Sequence, residues 1–202
     1  MKEVINASML GCMDDVPEGS KIIFLNILEL LRSIDKPKIL EVGTYSGKTI
    51  SKIADIFPNA DCFAIDNWKL DESEFEQCKK YVNINFTMND VKNTFFENIK
   101  GKNITLLEGD SSIILRDLVE KQSKFNFIYV DGSHTSLNTA IDIVLSWILL
   151  EKNGILAIDD YLYVSPGHIE DTPKIAVDYF MSKFSGEYII LNSGYRMFFL
   201  KK

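Results

Sequence analysis

The stretch EVGTYSGKT, Glu41–Thr49, follows the apolar run KIL at residues 38–40, and its reading decides the fold. A glycine loop that closes on Gly47, Lys48 and Thr49 has the look of a nucleoside-triphosphate P-loop. That loop, however, holds four residues between its glycines. This one holds three, Thr44, Tyr45 and Ser46. Nor is it the GxGxxG dinucleotide fingerprint, because a tyrosine stands at position 45. What remains is a short β-run, a glycine turn and an opening helix on which Ile50, Ile53, Ala54 and Phe57 share one face.

The same unit recurs along the chain. Short β-rich runs stand at CFAID (62–66), ITLLE (104–108), FNFIYV (125–130) and GILAI (154–158), with helical-period segments between them. Leu137, Ile141, Leu145 and Ile148 form one such helical stripe, and Asn153-Gly154 supplies a helix stop before the fifth strand. Pro17 is placed to start a helix in the N-terminal segment 1–36, carrying Ile22, Ile23, Leu25, Leu28 and Leu31. EYIILNSGYRMFFLKK (187–202) is two β-rich runs joined by NSG, a hairpin signal. The expectation is an α/β, Rossmann-like doubly wound sheet of seven mostly parallel strands, closed by a C-terminal antiparallel hairpin, in one domain over residues 1–202. Residues 67–103 make a longer excursion, read as two helices around 72–82 and 89–99, placed to help cover a ligand.

Composition bounds the function. The chain has 202 residues, 46% hydrophobic and 25% charged, which suffices for a sizeable core. Its 22 Lys plus Arg against 29 Asp plus Glu give a net charge of -7, opposite to the footprint of a nucleic-acid binder. A small-molecule partner is expected, and a cationic one suits the charge. Cys12, Cys62 and Cys78 are odd in number without a CxxC pair, and Cys62 reads as a small hydrophobe, so a reduced, cytoplasmic setting is expected. The N-terminus shows no basic segment followed by an apolar run, and AIDIVLSWILL (140–150) is short and carries Asp142, so neither secretion nor membrane insertion is expected.

In a doubly wound sheet the ligand lies beyond the carboxyl ends of the strands. Here every such end carries an acid: Glu41, Asp66, Asp110, Asp131, and Asp159 with Asp160. These would repel a triphosphate, whereas a cationic ligand with a ribose suits them. Asp66 lies 25 residues beyond Glu41, where a carboxylate can accept hydrogen bonds from ribose hydroxyls. Asp131, Asp159 and Asp160 end neighbouring strands; if their carboxylates converge they raise one another's pKa values, and a hard divalent cation, Mg²⁺ first, would resolve the repulsion. The competing reading makes these acids turn residues and helix caps.

Taken in order, LEVGTYSGKT, FAID, LLEGDSS, YVDGSH and GILAIDDY resemble the class I S-adenosylmethionine-dependent methyltransferases, specifically the metal-dependent small-molecule O-methyltransferases typified by the catechol and macrocin enzymes. The resemblance spans roughly residues 15–200. It implies that Gly43 and Gly47 let the backbone approach the methionine moiety and that Glu41 lies near its ammonium. Asp66 would take the ribose hydroxyls, Asp110 or Ser111 would edge the adenine, and Trp68 would cover the purine face, with Tyr45 and Asp131 completing the cofactor set. Asp110 and Ser111 equally suit a plain helix cap, and Trp68 a core or lid position. The resemblance also assigns the metal to Asp131, Asp159 and Asp160, and the general base to His134, three residues past Asp131; a histidine that only orders its loop is the alternative. The acceptor it implies is a small hydroxylated molecule, first a sugar or sugar-bearing natural product, then a catechol, enclosed in part by the loop YLYVSPGHIEDTP with Tyr161 and Tyr163. His168 receives no chemistry, and the N-terminal helix or an open sheet edge offers a surface for a homodimer. Two other classes stay open, a P-loop nucleotide enzyme and a catalytically silent methyltransferase-like binding protein.

Overall fold

The computed structural model describes residues 18–69, 87–164 and 170–202. Pro17, Cys12, Cys78, His168 and the helix expected around 72–82 lie outside those residues. The chain forms α1 (Glu18–Glu29), a 3₁₀ turn (Leu30–Ser33), β1 (Lys38–Val42), α2 (Lys48–Ile56), β2 (Asp61–Asp66), α3 (Met88–Asn98), β3 (Ile104–Glu108), α4 (Ser111–Glu120), β4 (Phe125–Val130), α5 (Ser136–Leu149), β5 (Leu150–Ile158), α6 (Pro173–Lys183), β6 (Tyr188–Asn192) and β7 (Met197–Lys201). The seven strands make one sheet in the order β3-β2-β1-β4-β5-β7-β6. β1 to β5 are parallel, β7 runs antiparallel to β5, and β6 pairs antiparallel with β7, as the NSG hairpin foretold.

Strand residues alternate between two cores, one on each face of the sheet. Ile39, Cys62, Ala64, Phe127, Tyr129, Ala157 and Phe198 point to the side of α1, α2 and α3. Leu40, Val42, Ile65, Ile128, Val130, Leu156 and Phe199 point to the side of α5 and α6, where Leu115 of α4 also packs. Burial on both faces explains why these runs are continuously apolar and not alternating. The strand order reverses between β1 and β4, so the crevice beyond their carboxyl ends is the natural ligand site. Among the described residues no helix is long and apolar enough to cross a membrane.

Two helix faces differ from expectation. In α1 the buried set is Phe24, Ile27 and Leu28, continued by Leu31, whereas Ile23 and Leu25 are exposed. That spacing of three, four and seven is a true helical stripe, and Phe24 sits edge-on to Phe127, Tyr129 and Phe198. In α5 the expected apolar stripe is turned away: Leu137 and Ile148 are exposed, and Thr139, Asp142, Ile143, Ser146 and Trp147 are buried. Two of the polar members are held by specific bonds, Thr139 Oγ1 donating to the Ser133 carbonyl at 2.7 Å and Asp142 bonding the Ser111 side chain. Counting only apolar residues therefore put the stripe on the wrong face. Helix α5 also ends at Leu149, before Asn153-Gly154, and β5 begins at once, with the left-handed Asn153 (φ 62°) in a bulge against β4. The helix expected at 89–99 is α3, opened by a capping box between Thr87 and Asp90.

Candidate active site

The β1 loop is built by conformation and close packing. Gly43 (φ 84°) and Gly47 (φ 72°) are left-handed, and both lack space for a side chain. A Cβ on Gly43 would fall 2.2 Å from the Asp131 carbonyl oxygen and 2.4 Å from Gly132 Cα; one on Gly47 would fall 2.6 Å from the Phe95 ring. The close approach that demands Gly43 is thus the loop after β4. Backbone bonds zip these loops together: Gly43 N–H to Ile65 O at 2.9 Å, Asp131 N–H to Val42 O at 2.8 Å, and Asp159 N–H to Val130 O at 2.9 Å.

Asp66 closes β2 at the rim of this loop. Its two oxygens accept from Tyr45 N–H at 2.6 Å and Trp68 N–H at 2.7 Å, and burial raises its pKa against those bonds. Asp66 also accepts from Asn67 N–H, and acceptor capacity remains on the carboxylate for a ribose hydroxyl. Glu41 is buried beneath the loop and accepts from the Thr44 hydroxyl. Burial, with a smaller push from the Asp66 charge, carries its pKa to about 8. A buried acid at that value is a group waiting for a cation.

Two expected cofactor residues serve the framework. Trp68 is 7% exposed and packs its ring on Phe95 at 5.4 Å, its indole N–H donating to the Tyr45 carbonyl at 2.9 Å. It packs in the core beside α3, one of the two positions the sequence left open for it. Asp110 is the N-cap of α4, accepting from Ser112 N–H at 3.0 Å and from the Ser112 hydroxyl at 2.6 Å. Ser111 beside it bonds Asp142, whose pKa burial lifts to about 6.

The ends of β4 and β5 gather the other acids and His134. A small cleft is lined by Asp131, His134, Asp159, Asp160 and Pro173 among others. His134 Nε2 lies 2.9 Å from Asp160 Oδ2, and its ring packs on Tyr163 with centroids 4.6 Å apart. Burial works against the charge of Asp160, but the bond and charge of His134 outweigh it and hold this carboxyl below its ordinary value. Asp131 is pushed well above the carboxylate range, first by burial, then by the charges of Asp159, Asp160 and Glu41. Asp159 is engaged from behind: its Oδ2 accepts from Arg196 Nε–H at 2.9 Å and from the Tyr129 hydroxyl, while Oδ1 accepts Asp160 N–H at 2.9 Å. Burial raises Asp159 and the Arg196 charge pulls it back.

The sequence reading missed Arg196, although a signal was present. With β7 antiparallel to β5, Ile158 pairs Met197, so the residue after β5 must face the residue before β7. That places Arg196, in the otherwise apolar YRMFFL, beside Asp159.

Sequence comparison bears directly on this arrangement. Residues 40–161, from β1 to just past the Asp159-Asp160 pair, match the family described as "Methyltransferase domain". The chain belongs to this methyltransferase family. Its fold is shared with a protein assigned as a caffeoyl-CoA O-methyltransferase from Staphylococcus aureus, at a TM-score of 0.59 and 18% identity over 93% of this chain and 85% of that one. The O-methyltransferase NovP is similar at 0.57 and 14% identity over 90% and 80%. MycE, a methyltransferase of the mycinamycin biosynthetic pathway solved with Mg and SAH, follows at 0.58 and 14% identity; the match covers 88% of this methyltransferase but 48% of MycE. No curated protein matches the sequence.

The sequence expectation that Asp131, Asp159 and Asp160 hold Mg²⁺ was tested against their bonds. Asp159 meets three protein donors and Asp160 meets His134, and among the described residues no group of three His, Cys, Asp or Glu side chains is disposed to hold a metal ion. The three acids line one cleft, and two of them are engaged by protein groups, Asp159 by Arg196 and Asp160 by His134.

Proposed function

We propose that this methyltransferase moves a methyl group from S-adenosylmethionine to a hydroxyl oxygen of a small acceptor. The observation that carries the reading is the His134–Asp160 pair, 2.9 Å apart, in a cleft whose wall also includes the buried acid Asp131. S-Adenosylmethionine supplies an electrophilic methyl on a sulfonium, together with an ammonium and a ribose diol. The residues present suit it: Asp66 offers two oxygens at the β2 rim, and Glu41 and Asp131 are acids whose raised pKa values a cation would lower.

The chain's own part is orientation and proton removal. Asp160 accepts the Nε2–H of His134, which fixes the tautomer in which Nδ1 takes the hydroxyl proton as the oxygen attacks. Tyr163 braces the opposite side of the imidazole. Asp131, raised in the free protein, would regain its charge beside a cationic cofactor, and holding the oxygen and the methyl in line would convert a bimolecular step to a positioned one. Tyr161 is tied back to α6, its hydroxyl donating to Asp178 at 2.8 Å, whereas Tyr163 packs on the His134 ring and Tyr195 bonds Asp160. The acceptor class is a small hydroxylated molecule, sugars and sugar-bearing natural products first.

Calorimetric titration of S-adenosylmethionine and of ATP, side by side, tests the cofactor. Saturable ATP binding with none for S-adenosylmethionine would reject the reading. S-Adenosylhomocysteine release on a panel of diols, sugars and catechols tests the transfer, and cofactor binding without any turnover would leave a silent binding protein. Asp66→Ala is expected to weaken cofactor binding by about 1.5–3 kcal/mol, the range for hydrogen bonds to a charged group.

A further inference from the structure

Asp159 is the residue of the acid cluster that a reaction scheme built on His134, Asp160 and Asp131 leaves unused, yet it is the one most completely bonded. Its carboxylate and the Arg196 side chain are 4% and 9% exposed, and the two meet at 2.9 Å. Tyr129 donates to the same oxygen from β4. The guanidinium is also 6.0 Å from the centre of the Phe24 ring, on the α1 side of the sheet. The cation, one residue before β7, thus lies between the acid past the carboxyl end of β5 and the Phe24 ring of α1.

We infer that Arg196 is a fixed counter-cation for Asp159 that withdraws this carboxylate from metal binding, so that the acid cluster works without a divalent ion shared by Asp131, Asp159 and Asp160. The inference rests on the reading that the β4 and β5 ends are the chemical centre, and it departs from what the sequence resemblance implied. Arginine is suited to the role because it stays charged at any working pH and its planar donors match a carboxylate. The chain already carries positive charge behind Asp159, and His134 engages Asp160, leaving Asp131 as the carboxylate for the cationic cofactor. A divalent ion on all three acids would have to share Asp159 with a buried guanidinium 2.9 Å from its Oδ2, and two cations on one buried carboxylate repel each other.

The test is direct metal binding by the full chain, with Mn²⁺ followed by electron paramagnetic resonance, beside S-adenosylmethionine titration in EDTA. The wild type is expected to bind the cofactor equally with and without EDTA, to turn over in EDTA, and to show no saturable Mn²⁺ binding. Arg196→Gln is expected to gain saturable Mn²⁺ binding as Asp159 is released, and Arg196→Lys to return towards the wild-type pattern. Saturable Mn²⁺ binding by the wild type, with turnover lost in EDTA and restored by Mg²⁺, overturns the inference. So does a folded Arg196→Gln protein that gains no Mn²⁺ binding. If Arg196→Gln does not fold, the wild-type measurements decide alone. A wild type that binds no S-adenosylmethionine defeats the proposed function, while the Mn²⁺ result still decides the role of Arg196.

Discussion

Residue by residue, the site is a set of acids given different tasks by their neighbours. Asp160 is kept charged by His134, Asp159 is paired with Arg196, Glu41 is held towards its neutral form by burial, and Asp131 is raised by the others. With a pKa of about 8, Glu41 is mostly protonated at pH 7 in the free protein. A cofactor ammonium nearby favours the carboxylate, so binding is expected to release a proton from this group near pH 7. Titration in buffers of different ionisation enthalpy measures that release, and Glu41→Gln should abolish its part of it. A buffer-independent binding enthalpy in the wild type would place the ammonium elsewhere. For the chemical step, His134→Ala is expected to slow methyl transfer by about 10²- to 10⁴-fold, the usual worth of a positioned base, with cofactor affinity retained. Near-normal single-turnover rates in that variant would reduce His134 to a loop-ordering residue. His134 was legible in the sequence as a histidine three residues past a strand-end acid; its partner was not, because Asp160 reaches it only through the β4/β5 pairing.

At the level of elements, the β1 loop and the β4 loop behave as one piece. Gly43 has no space for a Cβ because the Asp131 carbonyl oxygen would stand 2.2 Å away, and its φ of 84° disfavours any side chain. Gly43→Ala must therefore push the two loops apart, and both Asp131 and the glycine turn move with them. The expected result is a lower melting temperature together with loss of cofactor binding; Gly101→Ala is the control, a left-handed glycine whose Cβ would meet nothing within 4 Å. Equal effects at both positions would mean that backbone strain alone, and not the loop contact, governs the site. Strands and their order were readable because continuous apolar runs, acid ends and the NSG hairpin are local signals. The faces of α1 and α5 were less so. Apolar counting cannot see that Thr139 and Asp142 are buried with partners on other loops, or that Phe24 is preferred over Ile23 by the aromatic cluster beneath it. For Trp68 the sequence left a core or lid position beside a purine contact, and its packing on Phe95 depends on where α3 docks.

For the molecule as a whole, buried acids set how stability depends on pH. Glu41 and Asp142 have folded-state pKa values of about 8 and about 6, both raised chiefly by burial. Below their unfolded values both states hold the proton and nothing is lost. As pH rises, the unfolded chain ionises first while the folded protein retains its protons, so stability falls, by up to about 1.4 kcal/mol per pH unit for each group so affected. Both groups contribute between about pH 4.5 and 6, and Glu41 alone continues to about 8. Groups lowered by pairing, such as Asp61 beside Lys36 and Asn103, act only in more acidic solution, because their folded values lie below the ordinary carboxylate range. The net charge of -7 adds repulsion in the same direction as pH rises, but Glu41→Gln changes it little and so separates the two causes. The free protein is therefore expected to lose melting temperature steadily from pH 5 to pH 8, with a shallower decline in Glu41→Gln. Saturating S-adenosylmethionine should flatten the wild-type curve as well, since a bound cation lowers the Glu41 pKa and removes the reason for the decline. Scanning fluorimetry across that range decides it. A wild-type curve that is flat without cofactor would show that Glu41 is ionised in the free protein, and a decline unchanged by Glu41→Gln would assign the slope to the other raised acids, Asp66, Asp131, Asp142 and Asp159, and to the surface charge.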